Sequence, residues 1–239
     1  MTEPAPSISA VLPAFNEEAV IADVVRRTAA ALARHVDRFE IVVVDDGSHD
    51  ATAQQARDAV QDADVKVISH RANRGYGAAL RTGFDAAGCE ATWLMDGDGQ
   101  FDPADIALLL PHYAADRVVA GQRIHRQDGA LRRLNNRAFF GVVRTLFGSV
   151  AGDVNCAFKL FPAQVGKGLR CDGAMISTEL MLRAKRSGYR VVEVGVPHYP
   201  RRAGQATGAD PRVVLRAFAE LGRLRRDPSL LGTVTPPER

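Results

Sequence analysis

The 239-residue chain is long enough for one large α/β domain, or two closely joined halves, around a proper core. With 46% apolar and 25% charged residues it has an ordinary globular composition, and a formal charge of +3 is too small to argue for a nucleic-acid partner. No uninterrupted apolar run approaches the ~20 residues of a spanning helix, so any membrane contact is expected to be peripheral. Cys89, Cys156 and Cys171 are odd in number and lack metal-ligand spacing, which reads as reduced thiols in the cytoplasm.

Residues 1–7 are short and polar with two prolines, and read as a flexible tail and not a signal peptide. Ile8 to Leu12 is an apolar run stopped by Pro13, a buried strand. Glu17 to Val36 has helical apolar spacing, with acidic residues at its start where they suit the helix dipole. Glu40 to Val44 is a second, β-branched strand, and Ala51 to Ala63 a helix that Ser48 or Asp50 would cap. Val65 to Ser69, then Gly77 to Ala87, then Ala91 to Met95 continue the alternation as strand, helix and strand. Such alternation implies a parallel sheet with right-handed crossovers, whose ligands sit beyond the carboxyl ends of the strands. The polar clusters fall at those ends: Asn16-Glu17, Asp45-Asp46, Asn73 and Asp96 to Gln100.

The second half is less regular. Arg117 to Gly121, Val154 to Phe161 and Arg190 to Val196 are strand-like, and Thr178 to Arg186 is helical. Leu131 to Phe147 and Pro211 to Arg226 are basic amphipathic helices, the second opened by proline. Either can lie on an anionic bilayer or pack against the core.

Asp96-Gly97-Asp98 puts two carboxylates together at a strand end, with glycines that allow close approach. With the Gln100 amide they form a hard-oxygen donor set suited to Mg²⁺ or Mn²⁺ bridging phosphates. An EF-hand loop would need a carboxylate where Ala107 stands. An aspartyl-phosphatase loop would open the domain and continue with Thr or Val, where Gln100 stands. Asp46, at the end of the second strand, is placed to read a base N–H or a ribose hydroxyl. Asn73-Arg74-Gly75-Tyr76-Gly77 is a glycine-rich turn at a helix start, a weak phosphate signal. No G-x-G-x-x-G follows the first strand and there is no P-loop, which argues against nicotinamide and NTPase chemistry.

Pro13-Ala14-Phe15-Asn16-Glu17-Glu18, Val43 to Ser48, Asn73 to Gly83 and Met95 to Gln100 together resemble the ordered motifs of family 2 glycosyltransferases. Within them the chain resembles the polyprenol-phosphate (dolichol-phosphate) mannose and glucose synthases, from about Ile8 to Gly208. The resemblance implies an α/β fold of GT-A type: a Rossmann-like, mainly parallel sheet flanked by helices, with a C-terminal amphipathic helix. It implies a single domain over 8–208, with a nucleotide-binding half 8–115 and an acceptor half 116–208, then a basic helix and tail over 209–239. It also implies inverting transfer of mannose or glucose from a GDP- or UDP-sugar.

Carried over, the resemblance places Pro13, Phe15, Glu17, Val44 and Asp46 around the nucleoside, and Asp96, Gly97, Asp98 and Gln100 at the diphosphate and metal. Arg123 and Arg201 would contact phosphate, and Asp153 falls on the Asp of a D-x-x-S-G-F stretch. The chain departs from the family pattern at Phe15 (more often Tyr), Gln122, Cys156-Ala157, Ala206 and Thr207, where a lysine is usual. A lipid-phosphate acceptor supplies its own oxyanion, whereas an alcohol needs a base, for which Asp153 is the first candidate and Glu179 a weaker one. His198 is a further candidate metal ligand, against a structural reading. The expected partners are a nucleotide-diphosphate sugar, a polyprenyl phosphate and the cytoplasmic membrane surface, compatible with a membrane-protein partner or a homodimer. A soluble or other lipid alcohol is the alternative acceptor. A sugar nucleotidyltransferase and a non-catalytic sugar- or lipid-binding partner are the readings from other classes.

Overall fold

The computed structural model describes residues 5–60, 63–124, 141, 145, 152–173, 175–200, 220–223, 226 and 231–236. Seven strands form one sheet in the order β3-β2-β1-β4-β6-β5-β7. They are β1 (Ile8–Ala14), β2 (Phe39–Asp45), β3 (Val65–Ser69), β4 (Ala91–Met95), β5 (Arg117–Ile124), β6 (Phe158–Pro162) and β7 (Arg190–Pro197). β6 is antiparallel to both β4 and β5, and every other pairing is parallel. The carboxyl ends of the other six strands therefore share one edge, and β6 begins there. The α/β, mainly parallel architecture is the one the sequence implies.

Alternate residues of the strands face opposite layers, as the two-residue period requires. Ile8, Ala10, Leu12, Ile41, Val43 and Trp93 pack with α1 (Ile21–Leu32), α2 (Thr52–Asp58) and α4 (Ile106–Leu109). Val11, Val42, Val44 and Leu94 pack with α3 (Tyr76–Ala86), α5 (Ala163–Gly166) and α6 (Ile176–Arg186). A strand with both faces covered reads as a continuous apolar run, which is why β1, β2 and β4 were legible.

Several boundaries differ from expectation, three of them for visible local reasons. β1 runs through Pro13 to Ala14, paired with Val44 and Asp45 of β2. The Pro13 carbonyl accepts from Gly97 N–H (3.1 Å), so its missing donor falls on the side where the β4 ladder has already ended. α1 starts at Ile21 and not at Glu17, because the segment before it is tied to the 48–52 loop. Asn16 has a left-handed φ of 55°, and Glu17 N–H donates to Thr52 Oγ1 (2.8 Å). β6 starts at Phe158, after a turn in which Cys156 N–H donates to Asp153 O (3.0 Å).

The expected helix over 131–147 lies outside the described residues apart from Gly141 and Thr145, which are helical. In the expected last helix, residues 220–223 and 226 are described and helical, and Leu221 is buried. No described helix is long and apolar enough to cross a membrane.

Candidate active site

The ends of β1 and β2 are joined by side chains. Asn16 N–H donates to Ser48 Oγ (2.9 Å), and His49 N–H donates to the Asn16 side-chain oxygen (3.0 Å). Neither expected residue is the N-cap of α2, which is Ala51 without a side-chain cap; Asp50 accepts from Thr52 N–H (3.0 Å) one residue earlier. Phe15 is half-buried and meets the His49 ring edge-on at 6.4 Å, leaving an aromatic face at this end of the cleft. Glu17 is buried beside it. Val44 is also buried, but its side chain lies in the core under α3, so only its main chain reaches the edge.

Asp46 is buried and inward-turned. Its Oδ1 lies 2.6 Å from His70 Nδ1 and accepts from Arg74 N–H (3.0 Å), while Oδ2 accepts from Gly75 N–H (2.8 Å). The imidazole is held on its far side by Thr82 Oγ1 at 2.9 Å. An internal carboxylate therefore occupies the anion-binding amides of the Asn73–Gly77 turn, which the sequence offered to a phosphate. Asp46 organises that turn.

The chain from Asp96 to Gln100 caps β4. A Cβ on Gly97 would stand 2.9 Å from the Pro13 carbonyl oxygen and 3.1 Å from Ile21 Cδ1, so only glycine lets β4 close against β1 here. Asp98 is buried, and its Oδ1 accepts from Gln100 N–H (3.0 Å). Gln100 Nε2 donates to Tyr199 O (3.0 Å) and the Gln100 main-chain carbonyl accepts from Tyr199 N–H (2.9 Å), tying the end of β4 to the end of β7. The carboxamide oxygen remains as the group a cation would take. Asp96 accepts from Tyr76 Oη (2.9 Å). Burial, and next the charge of Asp98, push the Asp96 carboxyl up to about 7 against the opposing pull of the Tyr76 hydrogen bond.

A divalent cation fits these residues as a countercharge. Two carboxylates, one of them raised by burial and by the charge of the other, plus an amide oxygen, form a hard donor set of the kind a divalent cation completes with phosphate oxygens and water. Among the described residues no cluster of three His, Cys, Asp or Glu side chains is placed to hold a metal without such added ligands. His198 sits with its ring edge-on to Phe101 at 5.0 Å, as a packed side chain would.

Arg123 and Asp153 form one unit. Arg123 Nε donates to Asp153 Oδ2 (2.8 Å), Nη2 donates to Oδ1 (2.8 Å), and Arg123 N–H reaches Oδ2 at 3.3 Å. A carboxylate saturated by a guanidinium fork is a poor proton acceptor, and its partner is aimed by it. Lys159, fully buried on β6, donates to the carbonyls of Val154 and Cys156 and so pins the turn that carries Asp153. Burial lowers the pKa of Lys159. Glu179, the weaker base candidate, is also fully buried and accepts from Arg170 N–H (2.8 Å) and Cys171 N–H (2.7 Å), a structural assignment. Arg201, Ala206 and Thr207 lie outside the described residues, as do Arg132, Arg133 and Arg137.

His70, Tyr76 and Lys159 escaped the reading of the sequence. A lysine inside the apolar strand Phe158–Pro162 is itself a signal. The Tyr76–Asp96 pair has none, because it exists only once α3 and β4 meet. A cavity of about 830 Å³ lined by His35, Glu90 and Tyr113 lies at the opposite, amino edge of the sheet and shares none of these residues.

The chain is 32% identical over 205 residues to undecaprenyl-phosphate 4-deoxy-4-formamido-L-arabinose transferase of Edwardsiella ictaluri, covering 83% of this chain and 62% of that protein. It is 31% identical over 206 residues to dodecaprenyl-phosphate galacturonate synthase of Rhizobium johnstonii, covering 82% of this chain and 60% of that one. It thus spans about three fifths of the length of these two relatives. Its fold matches glucosyl-3-phosphoglycerate synthase of Mycobacterium tuberculosis in complex with Mn²⁺, UDP-glucose and phosphoglyceric acid. The TM-score is 0.65 at 21% identity, over 96% of this chain and 81% of that one. The sequence pattern of glycosyl transferase family 2 matches residues 9–164, and the chain belongs to that family.

Proposed function

We propose that this chain is an inverting glycosyltransferase that moves a sugar from a nucleoside diphosphate donor to a polyprenyl phosphate at the cytoplasmic membrane surface. The observation that carries the donor half is the crowded pair Asp96 and Asp98, with Gln100, at the carboxyl edge of a family 2 sheet. Both relatives named above act on prenyl phosphates by their names, which supports the acceptor half.

Phe15 offers a face for the base, and Asp46 with Glu17 frames the nucleoside at the ends of β1 and β2. Asp96, Asp98 and the Gln100 oxygen would hold Mg²⁺ or Mn²⁺ against the diphosphate. The cation, when bound, stabilises negative charge on the departing phosphate. Gly97 lets the backbone lie close to that group. Arg123, aimed by Asp153, is assigned to phosphate by its place in the sequence, and so is Arg201.

The Arg123–Asp153 fork bears on the acceptor. With both oxygens of Asp153 committed and Glu179 buried under backbone amides, neither proposed base faces an incoming alcohol. A phosphate monoester is already ionised near neutral pH and needs no base. This favours the lipid phosphate over the alcohol.

The test is a panel of GDP- and UDP-sugars with Mn²⁺ or Mg²⁺, each offered a short polyprenyl phosphate and a soluble alcohol, read by product mass. The panel spans glucose and mannose donors and the 4-deoxy-4-formamido-L-arabinose and galacturonate types found in the relatives' names. Transfer to the prenyl phosphate is expected. Transfer to the alcohol alone would overturn the acceptor, and no turnover of any donor would overturn the activity.

A further inference from the structure

The loop between α5 and α6 drew no expectation from the sequence, yet it grips the start of α3. Asp172 O accepts from Ala78 N–H (3.1 Å), and Arg81 pairs with the Asp172 carboxylate at 2.8 Å while reaching Arg170 O at 3.3 Å. Gly77 is what permits the approach, since a Cβ there would stand 2.4 Å from both the Asp172 carbonyl carbon and Gly173 O.

The same loop is held from its other side by Glu220, in the helical residues near the C-terminus. Glu220 is only 7% exposed, and its Oε1 accepts from Asp172 N–H (3.2 Å) and Gly173 N–H (3.0 Å). Leu221 next to it is buried in the same layer as α3 and α6. One residue before Gly77 stands Tyr76, whose hydroxyl donates to Asp96. Glu220, the Asp172–Gly173 loop, the first turn of α3, Tyr76 and Asp96 thus form one unbroken series of contacts.

We infer that Glu220 is a positioning residue of the donor site. It seats the 172–173 loop on α3, the loop seats Tyr76, and Tyr76 aims the Asp96 carboxylate. A carboxylate accepting two backbone N–H groups in a buried setting makes charge-assisted bonds, the stronger kind. The consequence is a mechanical link between the C-terminal segment and the metal-side carboxylate. This rests on the donor-side reading of Asp96.

The experiment combines calorimetry of UDP and GDP binding with Mn²⁺ and amide exchange at Ala78, on wild type, Glu220→Ala, Tyr76→Phe and the double variant. Glu220→Ala is expected to speed exchange at Ala78 and weaken nucleotide affinity about 2- to 10-fold, the range of one lost hydrogen bond. Tyr76→Phe should weaken it similarly, and the double variant should add little, because the two act in series. Glu220→Gln keeps one acceptor and should shift both readouts less, and it serves where the alanine variant does not fold. A role confined to stability would lower the melting temperature and leave affinity and the Tyr76 coupling untouched; that result, or fully additive losses, overturns the inference alone. A folded wild type that binds neither nucleotide would overturn the donor-site reading as well.

Discussion

The carboxyl of Asp96, raised from an ordinary 3.8 to about 7, would make the proposed cation binding at this edge a proton-coupled event. With that pKa, about nine-tenths of the carboxyl is protonated at pH 6 and about one-tenth at pH 8. A cation that needs the carboxylate must displace the proton, so binding at pH 6 should release close to one proton and at pH 8 almost none. Apparent affinity should rise about tenfold from pH 6 to pH 8. Titrating Mn²⁺ with UDP by calorimetry, in two buffers of different ionisation enthalpy, reads both quantities. Asp96→Asn should lower the proton release at pH 6 by close to one proton and reduce the rise in affinity between pH 6 and pH 8, leaving the share that comes from the UDP terminal phosphate. The same group sets a sign for the free protein. Because its folded pKa is raised, its contribution favours folding most below about pH 4 and is lost as pH rises through about 7. Asp96→Asn should therefore raise the melting temperature of the metal-free protein at pH 8 and leave it little changed at pH 3.5. Proton release and a pH profile of affinity that Asp96→Asn leaves unchanged would refute the raised Asp96 carboxyl as their cause.

Two further changes test the packing behind the site. Gly97→Ala places a methyl 2.9 Å from the Pro13 carbonyl, and should cost about 1–3 kcal/mol of stability by chemical denaturation, together with nucleotide affinity. Asp153→Asn should lower transfer by freeing Arg123 from its fork, with an unshifted pH profile, whereas loss of a general base would cost about 10²–10⁴-fold in the chemical step.

The sequence by itself determined the sheet and its working edge. Strands β1, β2 and β4 are covered on both faces, so their residues are mostly apolar and stand out without any alignment of contacts. Parallel crossovers then force Asn16, Asp46 and Asp96 to the same edge, because each follows a strand of the same direction. What each polar side chain does there was decided by the tertiary structure. Asp46 turned inward to the amides of the turn before α3, and Asp153 closed on Arg123, because these partners lie 28–30 residues away and only folding brings them within hydrogen-bond reach. The reversed strand β6 was similarly hidden as to direction, since an apolar run carries no arrow. Tyr76 and Glu220 show the same limit at longer range: a phenol and a carboxylate acquire meaning only from the groups packed against them, and those are 20 and 47–48 residues distant in the chain.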